Sequence, residues 1–395
     1  MRETNFIQTD IGQFPSDWKE TTIQDLGPIS KGKGISRAEC GTGTLPCVRY
    51  GEIYTDHDNY IKCFRSFISK EVADTSRKLQ YGELLFTGSG ETKEDIGKCV
   101  AFVRNEEAYA GGDIVIVSPN LKENDPIFLG FLMNDRYVNN QKALRGQGDA
   151  VVHITGKTLG SVQLVLPPLD EQRRIANTLI DMDNLISALT KLIEKKQNIK
   201  IATMQQLLSG EKRLTGFTES WVQKNIESLC CVIKGEQLNR DRMSGEKIFP
   251  VYNGGISPSG FYSDYNTEAD TIIISEGGNS CGFVNFVHEP FWRGGHCYGL
   301  FGFEGDKNFL YQMLKYREND IMKLRAGSGL PNIQKSNLNS FCIDLPQNLS
   351  EQYAIANILT DVDKEIIALE QKRAKYEAIK KGMMQELLTG RIRLV

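Results

Sequence analysis

The sequence predicts an α+β chain: two strand-rich globular segments, each followed by a long helix, with the helices packed on one another. Three observations carry this. The stretch EQRRIANTLIDMDNLISAL (171–189) returns as EQYAIANILTDVDKEIIAL (351–369), 180 residues on and without a gap. From 170 to 214, 21 of 45 residues equal their partner 180 further along. The segments before each helix are built of short β-branched and aromatic runs. A repeat this long makes the chain two copies of one unit. Such a chain can fold with internal pseudo-two-fold symmetry and present two similar surfaces at a fixed separation.

The elements follow in order. Residues 1–168 form the first globular segment, with strands expected at 47–54 (CVRYGEIY), 83–87 (ELLFT), 98–103 (KCVAFV) and 113–118 (DIVIVS). A helix is expected over 125–144, before the turn GQG (146–148). Pro167-Pro168 breaks the chain before the first long helix, 169–214. The second globular segment, 215–346, repeats the first at its front: Phe14-Pro-Ser-Asp-Trp18 aligns with Phe217-Thr-Glu-Ser-Trp221, and Lys31-Gly32 with Lys234-Gly235. The offset is 203 at the front and 180 at the back, so the second copy is about 23 residues shorter and the middles have diverged. Its strands are expected at 271–275, 283–287 and 341–345, and a helix over 307–324 before AGSG (326–329). The second long helix occupies 347–395. A common frame with divergent centres is the pattern expected if each copy reads a different target.

The long helices carry a heptad-like seam: Ile175, Leu179, Met182, Ile186, Leu189 and Ile193 in the first, Ile355, Leu359, Val362, Ile366 and Leu369 in the second. This spacing favours coiled packing of helix on helix. Gly210 and Gly390, each near basic residues, read as helix stops. A rod of this kind spans roughly 57 Å at 1.5 Å per residue. That could hold two domains one to two DNA turns apart, a turn being about 34 Å.

Bulk properties exclude several classes. Nine cysteines with no C-x-x-C pair point to reduced thiols in a cytoplasmic protein, not a disulfide framework. The opening MRETNFIQTDIGQF has no apolar core of a signal peptide, and no run long enough for a membrane span occurs. Net charge is −3, and residues 1–168 hold 19 Lys+Arg against 22 Asp+Glu. A lone DNA-binding domain is usually strongly basic. Any DNA binding here uses local clusters or positive charge borrowed from a partner.

The order of a variable segment, then Pro167-Pro168-Leu169-Asp170-Glu171-Gln172-Arg173-Arg174-Ile175-Ala176, then MQQLLSG (204–210) closing on Arg213-Leu214, and the whole set again, resembles the DNA specificity subunit of type I restriction–modification systems. The resemblance covers essentially the full chain. The second copy, Pro346-Gln347-Asn348-Leu349-Ser350-Glu351-Gln352-Tyr353, lacks the double proline and the arginine pair. The resemblance implies two target recognition domains separated by two helices in an antiparallel coiled coil. It implies no active site in this chain and a bipartite double-stranded DNA target, one half-site per domain. It further implies docking to two methyltransferase subunits that use S-adenosylmethionine on adenine. Two restriction subunits could add ATP- and Mg-dependent translocation and cleavage.

The residues carry no recognisable catalytic motif. Asp125-Pro126-Ile127-Phe128 lacks the second proline of an amino-methyltransferase motif and reads as a helix N-cap with Pro at N1. Gly88-Ser89-Gly90-Glu91-Thr92-Lys93 lacks the spacing of a phosphate loop. Cys281, His288, His296 and Cys297 have no zinc-finger spacing, so no metal site is expected. The rival reading is a coiled-coil assembly scaffold without sequence-specific DNA reading.

Base reading needs side chains at groove edges and donors for phosphates. In the first segment the candidates are Lys31, Lys33, Ser36, Arg37, Arg49, Tyr50, Ser89, Thr92, Lys93, Arg145 and Gln147. In the second they are Lys234, Gln237, Asn239, Arg240, Arg242, Asn253, Asn279, Ser280, Arg293, Arg325, Ser328, Asn332, Gln334 and Lys335. Arg145 and Arg325, 180 apart, are expected at matching sites as phosphate anchors. Phosphate neutralisation dominates such binding, so affinity of this acidic chain alone should be poor.

Overall fold

Each globular segment is organised around the same antiparallel sheet. In the first, the strand order is Cys99–Ala101, Leu84–Thr87, Ile114–Val117, Ile29–Lys31. In the second, Val284–Val287, Thr271–Ser275, Cys297–Phe301, Cys231–Lys234 repeat that order. The computed structural model describes residues 5–148, 151–243, 248–327 and 331–395. A smaller sheet recurs as well. Leu45–Val48 pairs in parallel with Tyr109–Ala110, as Phe249–Tyr252 does with Trp292–Arg293. An antiparallel pair closes each segment: Lys19–Thr22 with Gln163–Leu166, and Trp221–Asn225 with Cys342–Pro346. The divergent middles therefore share one fold.

The two Lys-Gly dipeptides have a common cause. A Cβ on Gly32 would meet the Gly111 carbonyl oxygen at 1.8 Å, and one on Gly235 the Gly294 oxygen at 2.3 Å. Gly32 N–H bonds to Ile114 O and Gly235 N–H to Cys297 O, the same step of the sheet. Only glycine permits that approach.

The chain divides into two compact units, residues 1–188 with 373–395 and residues 189–372. Each unit joins one globular segment to the opening of the long helix that follows it and to the closing turns of the other long helix. In the first unit, Phe86, Phe128, Phe131 and Leu159 share a core with Ile175 and Leu179 from Leu169–Leu208, and with Leu387 and Leu388. In the second, Ile274, Phe309, Leu314 and Leu338 share a core with Ile355 and Leu359 from Leu349–Leu387, and with Met204, Leu207 and Leu208.

The helices run antiparallel within each unit. Lys196 pairs with Glu365 at 2.7 Å and Lys200 with Asp363 at 2.6 Å, so numbers rise on one helix as they fall on the other. In the first unit Lys380 donates to Asp183 at 2.5 Å. Of the seam residues, Ile175, Leu179, Leu189, Ile193, Ile355, Leu359 and Ile366 are buried; Met182, Ile186, Val362 and Leu369 are half-buried. Gly210 (φ +74°) and Gly390 (φ +70°) take the left-handed conformation that ends a helix.

A clamp recurs at each helix opening. Arg393 Nε and one terminal nitrogen donate to Glu171 at 2.7 and 2.8 Å. Arg213 does the same to Glu351 at 2.6 and 2.7 Å. Each guanidinium lies 5.8 Å from the ring of the repeated tryptophan, Trp18 or Trp221. The adjacent glutamines, Gln172 and Gln352, are buried and donate to Pro167 O and Pro346 O. The repeated Glu-Gln and Arg-Leu pairs thus lock helix ends to the globular segments.

Three expected elements differ. The run 47–54 is not one strand: Leu45–Val48 is followed by the helix Tyr50–Thr55. Buried Glu52 accepts from Arg49 N–H at 3.3 Å and turns the chain into helix. The helix expected over 125–144 is two, Pro126–Leu132 and Arg136–Arg145, because Asp135 caps Tyr137 N–H. The one over 307–324 divides into Lys307–Tyr316 and Glu318–Lys323. Asp125 caps Ile127 and Phe128 N–H with Pro126 at the first turn, as its sequence indicates.

Candidate nucleic-acid interface

In the first unit the Lys31–Arg37 loop is held rigidly. Gly34 and Ile35 both have positive φ (+68° and +62°). This is a strained state for a β-branched residue. Burial of Ile35 with Cys47, Ile68, Ala73 and Tyr109 holds it there. Ser36, Arg37, Arg49 and Tyr50 then line one cleft of about 910 Å³. Arg49 Nε bonds Glu52 Oε1 at 3.1 Å, which orients the guanidinium. Ser66 donates a short hydrogen bond to the same carboxylate. Lys31 lines a neighbouring cleft of about 600 Å³ with Gly88, His153 and Lys157, and Asp113 borders both clefts. Lys33 is exposed beside them.

The Gly88–Lys93 loop is pinned from below. Tyr54 OH makes hydrogen bonds with Thr87 Oγ1 (2.7 Å), Ser89 O and Asp95 O (both 3.1 Å). Lys142, fully buried, donates to Gly97 O at 2.6 Å and Met133 O at 2.8 Å. Burial pushes its ammonium down to about 8. Thr92 and Lys93 are exposed; Thr92 donates to Asp95 at 2.9 Å. Ser89 is buried with its hydroxyl 2.8 Å from His153 Nδ1, so it cannot itself reach a ligand. Tyr54, Lys142 and His153 were not singled out by sequence; scattered polar residues give no periodic signal.

In the second unit Lys234 Nζ meets Glu276 at 2.6 Å, and Tyr298 OH donates to the same oxygen at 3.1 Å. Ser275 and Ser280 both donate short hydrogen bonds to Gly254 O, drawing the Asn253 and Gly277–Ser280 loops together. Asn279 is exposed there. Arg242 donates to Tyr262 OH at 3.1 Å; Gln237, Asn239 and Arg240 are exposed on the same turn region. Arg325, Asn332, Gln334 and Lys335 are exposed. Ser328 lies outside the described residues.

Besides Ser89, two expectations need correction. Arg293 is buried, donates to Ile233 O at 2.9 Å and stacks on Phe301 at 4.9 Å; burial lowers its pKa. It supports the sheet and is not presented outward. Arg145 and Arg325 are not equivalent. Gln147 exchanges backbone hydrogen bonds with His153, and Ala326 does so with Asn332, an offset of 179. Position 325 therefore matches Gly146. The slip lies in the linker: one proline separates Pro167 from Leu169, while Gln347-Asn348 separate Pro346 from Leu349. Arg145 is moreover held by Gln141 O at 2.9 Å and Ser161 Oγ at 3.1 Å. Gln147 is exposed.

The type I restriction modification DNA specificity domain matches residues 15–200 and again 218–380. The chain belongs to that family. Two full-length relatives come from Methanocaldococcus jannaschii. One, provisionally named the MjaX specificity subunit, is 26% identical over 100% of this chain and 98% of its own length. The type I restriction enzyme MjaVIII specificity subunit is 24% identical over 100% and 97%. The fold is that of a solved type I S subunit from M. genitalium, with a TM-score of 0.67 and 17% identity over 94% of this chain and 96% of that one. Among the described residues no helix is long and apolar enough to cross a membrane.

Proposed function

We propose that this specificity-family chain reads a bipartite double-stranded DNA target, one half-site per unit, and performs no chemistry itself. One observation carries the reading. Two units share strand order, helix clamps and close-packed glycines, yet differ in the exposed loops that the frame presents. A frame kept twice while its loops diverge suits two different base sequences read in one way. The partners are methyltransferase subunits acting on adenine, with two restriction subunits in a complete complex. S-adenosylmethionine, ATP and magnesium act in those partners, and the assembly works in the cytoplasm. A similar fold occurs in a structure of type I complex assembly, at a TM-score of 0.58, which supports a role as the assembling subunit. Partner lysines and arginines would supply the phosphate neutralisation that a chain of net charge −3 lacks.

The test replaces residues 215–346 with the corresponding segment of another family member. The expected result is a methylated sequence altered in one half only, with the spacer unchanged. Alteration of both halves would refute one half-site per unit.

A further inference from the structure

The shared frame gives the two units equivalent backbone positions even where their sequences have diverged. Lys31 and Lys234 are equivalent: each precedes the close-packed glycine and pairs across the sheet with equivalent residues, Val115 and Tyr298. His153 and Asn332 are equivalent too. His153 N–H donates to Gln147 O at 2.8 Å, and Asn332 N–H to Ala326 O at 3.0 Å. The next residues, Ile154 and Ile333, donate to Gly88 O and Glu276 O. Both side chains are exposed. Their supports differ with them. His153 pairs across its bridge with Ser89, whose hydroxyl holds Nδ1 at 2.8 Å; Asn332 pairs with Gly277, which has no side chain. An imidazole needs one nitrogen fixed before the other can be aimed, whereas an amide carries donor and acceptor together.

We propose that His153 and Asn332 are the paired specificity-determining residues of the two half-sites, with Ser89 as the positioning residue for His153. This rests on the bipartite reading above. Contacts to phosphate carry no sequence information and are served by the residue the units share, lysine. Contacts to bases must differ between half-sites, and at this fixed backbone position the side chain does differ. An asparagine amide matches adenine N6 and N7 in the major groove. Asn332 therefore specifies an adenine. His153, with Nδ1 committed, offers Nε2 alone and specifies its base less strictly.

The experiment maps genomic N6-methyladenine for the complete complex carrying His153→Asn, Asn332→His or Ser89→Ala. His153→Asn is expected to shift preference about tenfold toward adenine at one base of the first half-site. Asn332→His is expected to relax one adenine of the second. Ser89→Ala should loosen the same base as His153→Asn. In each case the other half-site and the salt dependence of DNA binding stay as they were. A split motif unaltered in His153→Asn and Asn332→His would overturn the assignment while leaving the bipartite reading standing. Loss of any chain-dependent split motif in the unmodified complex would remove the reading itself, and the assignment with it.

Discussion

Arg393→Ala tests whether the repeated helix clamp, here the one inside the first unit, stabilises the fold. The Glu171 side chain is 3% exposed and that of Arg393 11%. Removing the guanidinium leaves a buried carboxylate without its two bonds at 2.7 and 2.8 Å. Breaking a buried pair on one side costs about 3–5 kcal/mol. The third partner, Asp17, is more than half exposed and adds little beyond this. The Arg393 guanidinium does hold the Asp17 carboxyl below its ordinary range, through hydrogen bonding first. For a body of this size each kcal/mol moves the melting point about 2–4 °C, so a fall of roughly 6–20 °C follows. Urea melts and calorimetry of the full chain measure it. Glu171→Gln in the same background should recover much of the loss, because no charge is then stranded. Arg393→Lys should recover less, since the ammonium cannot form the two-pronged bond. A cost under about 1 kcal/mol for Arg393→Ala, the value of an exposed ion pair, would refute the reasoning.

Other outcomes follow from the same geometry. Gly210→Ala should cost about 1 kcal/mol for the left-handed backbone, since an added Cβ there meets Trp221 only at 3.7 Å. Gly390→Ala should cost some 1–3 kcal/mol more, because its Cβ meets Pro15 at 2.5 Å and Trp18 at 2.9 Å; equal melting shifts would contradict this. Lys142 sits at about 8 against its ordinary 10.5. Below pH 8 folded and unfolded chains both hold the proton. Between 8 and 10.5 the unfolded chain holds more, so stability rises with pH by up to about 3 kcal/mol. Lys142→Met should lack that rise; parallel urea stability curves from pH 7.5 to 10 would count against it. Lys31→Ala should lower the salt dependence of DNA binding by the complex more than Lys234→Ala. Glu276 lies 2.6 Å from Lys234 and already offsets its charge; equal changes in slope would contradict this.

The repeat, the long helices, their glycine stops and the main strands were legible because each rests on local periodicity or a fixed turn residue. Thr271–Ser275 matches its expected run residue for residue. The helix at Tyr50–Thr55 was not legible: Tyr50, Ile53, Tyr54 and Thr55 are good strand formers, and Glu52 overrides them through Arg49 and Ser66, fourteen residues on. Asp135 looked like one polar residue inside a helix, while it is a cap that starts a new one. The interface was legible as loops but not as contacts. Arg293 reads as a surface donor until the sheet closes over it. The offset of 180 holds for the repeated helices, while a one-residue linker difference makes it 179 ahead of them. His153 carries no sequence signal, because its equivalence to Asn332 and its contact with Ser89 arise only in the folded chain.

The central claim is that this chain chooses the sequence its complex acts on. The most direct measurement maps genomic N6-methyladenine in a host with the cognate methyltransferase, with and without this chain. The account predicts a split motif, a few read bases on each side of an unread spacer, that vanishes when the chain is deleted. A methylation pattern unchanged by the deletion would contradict it.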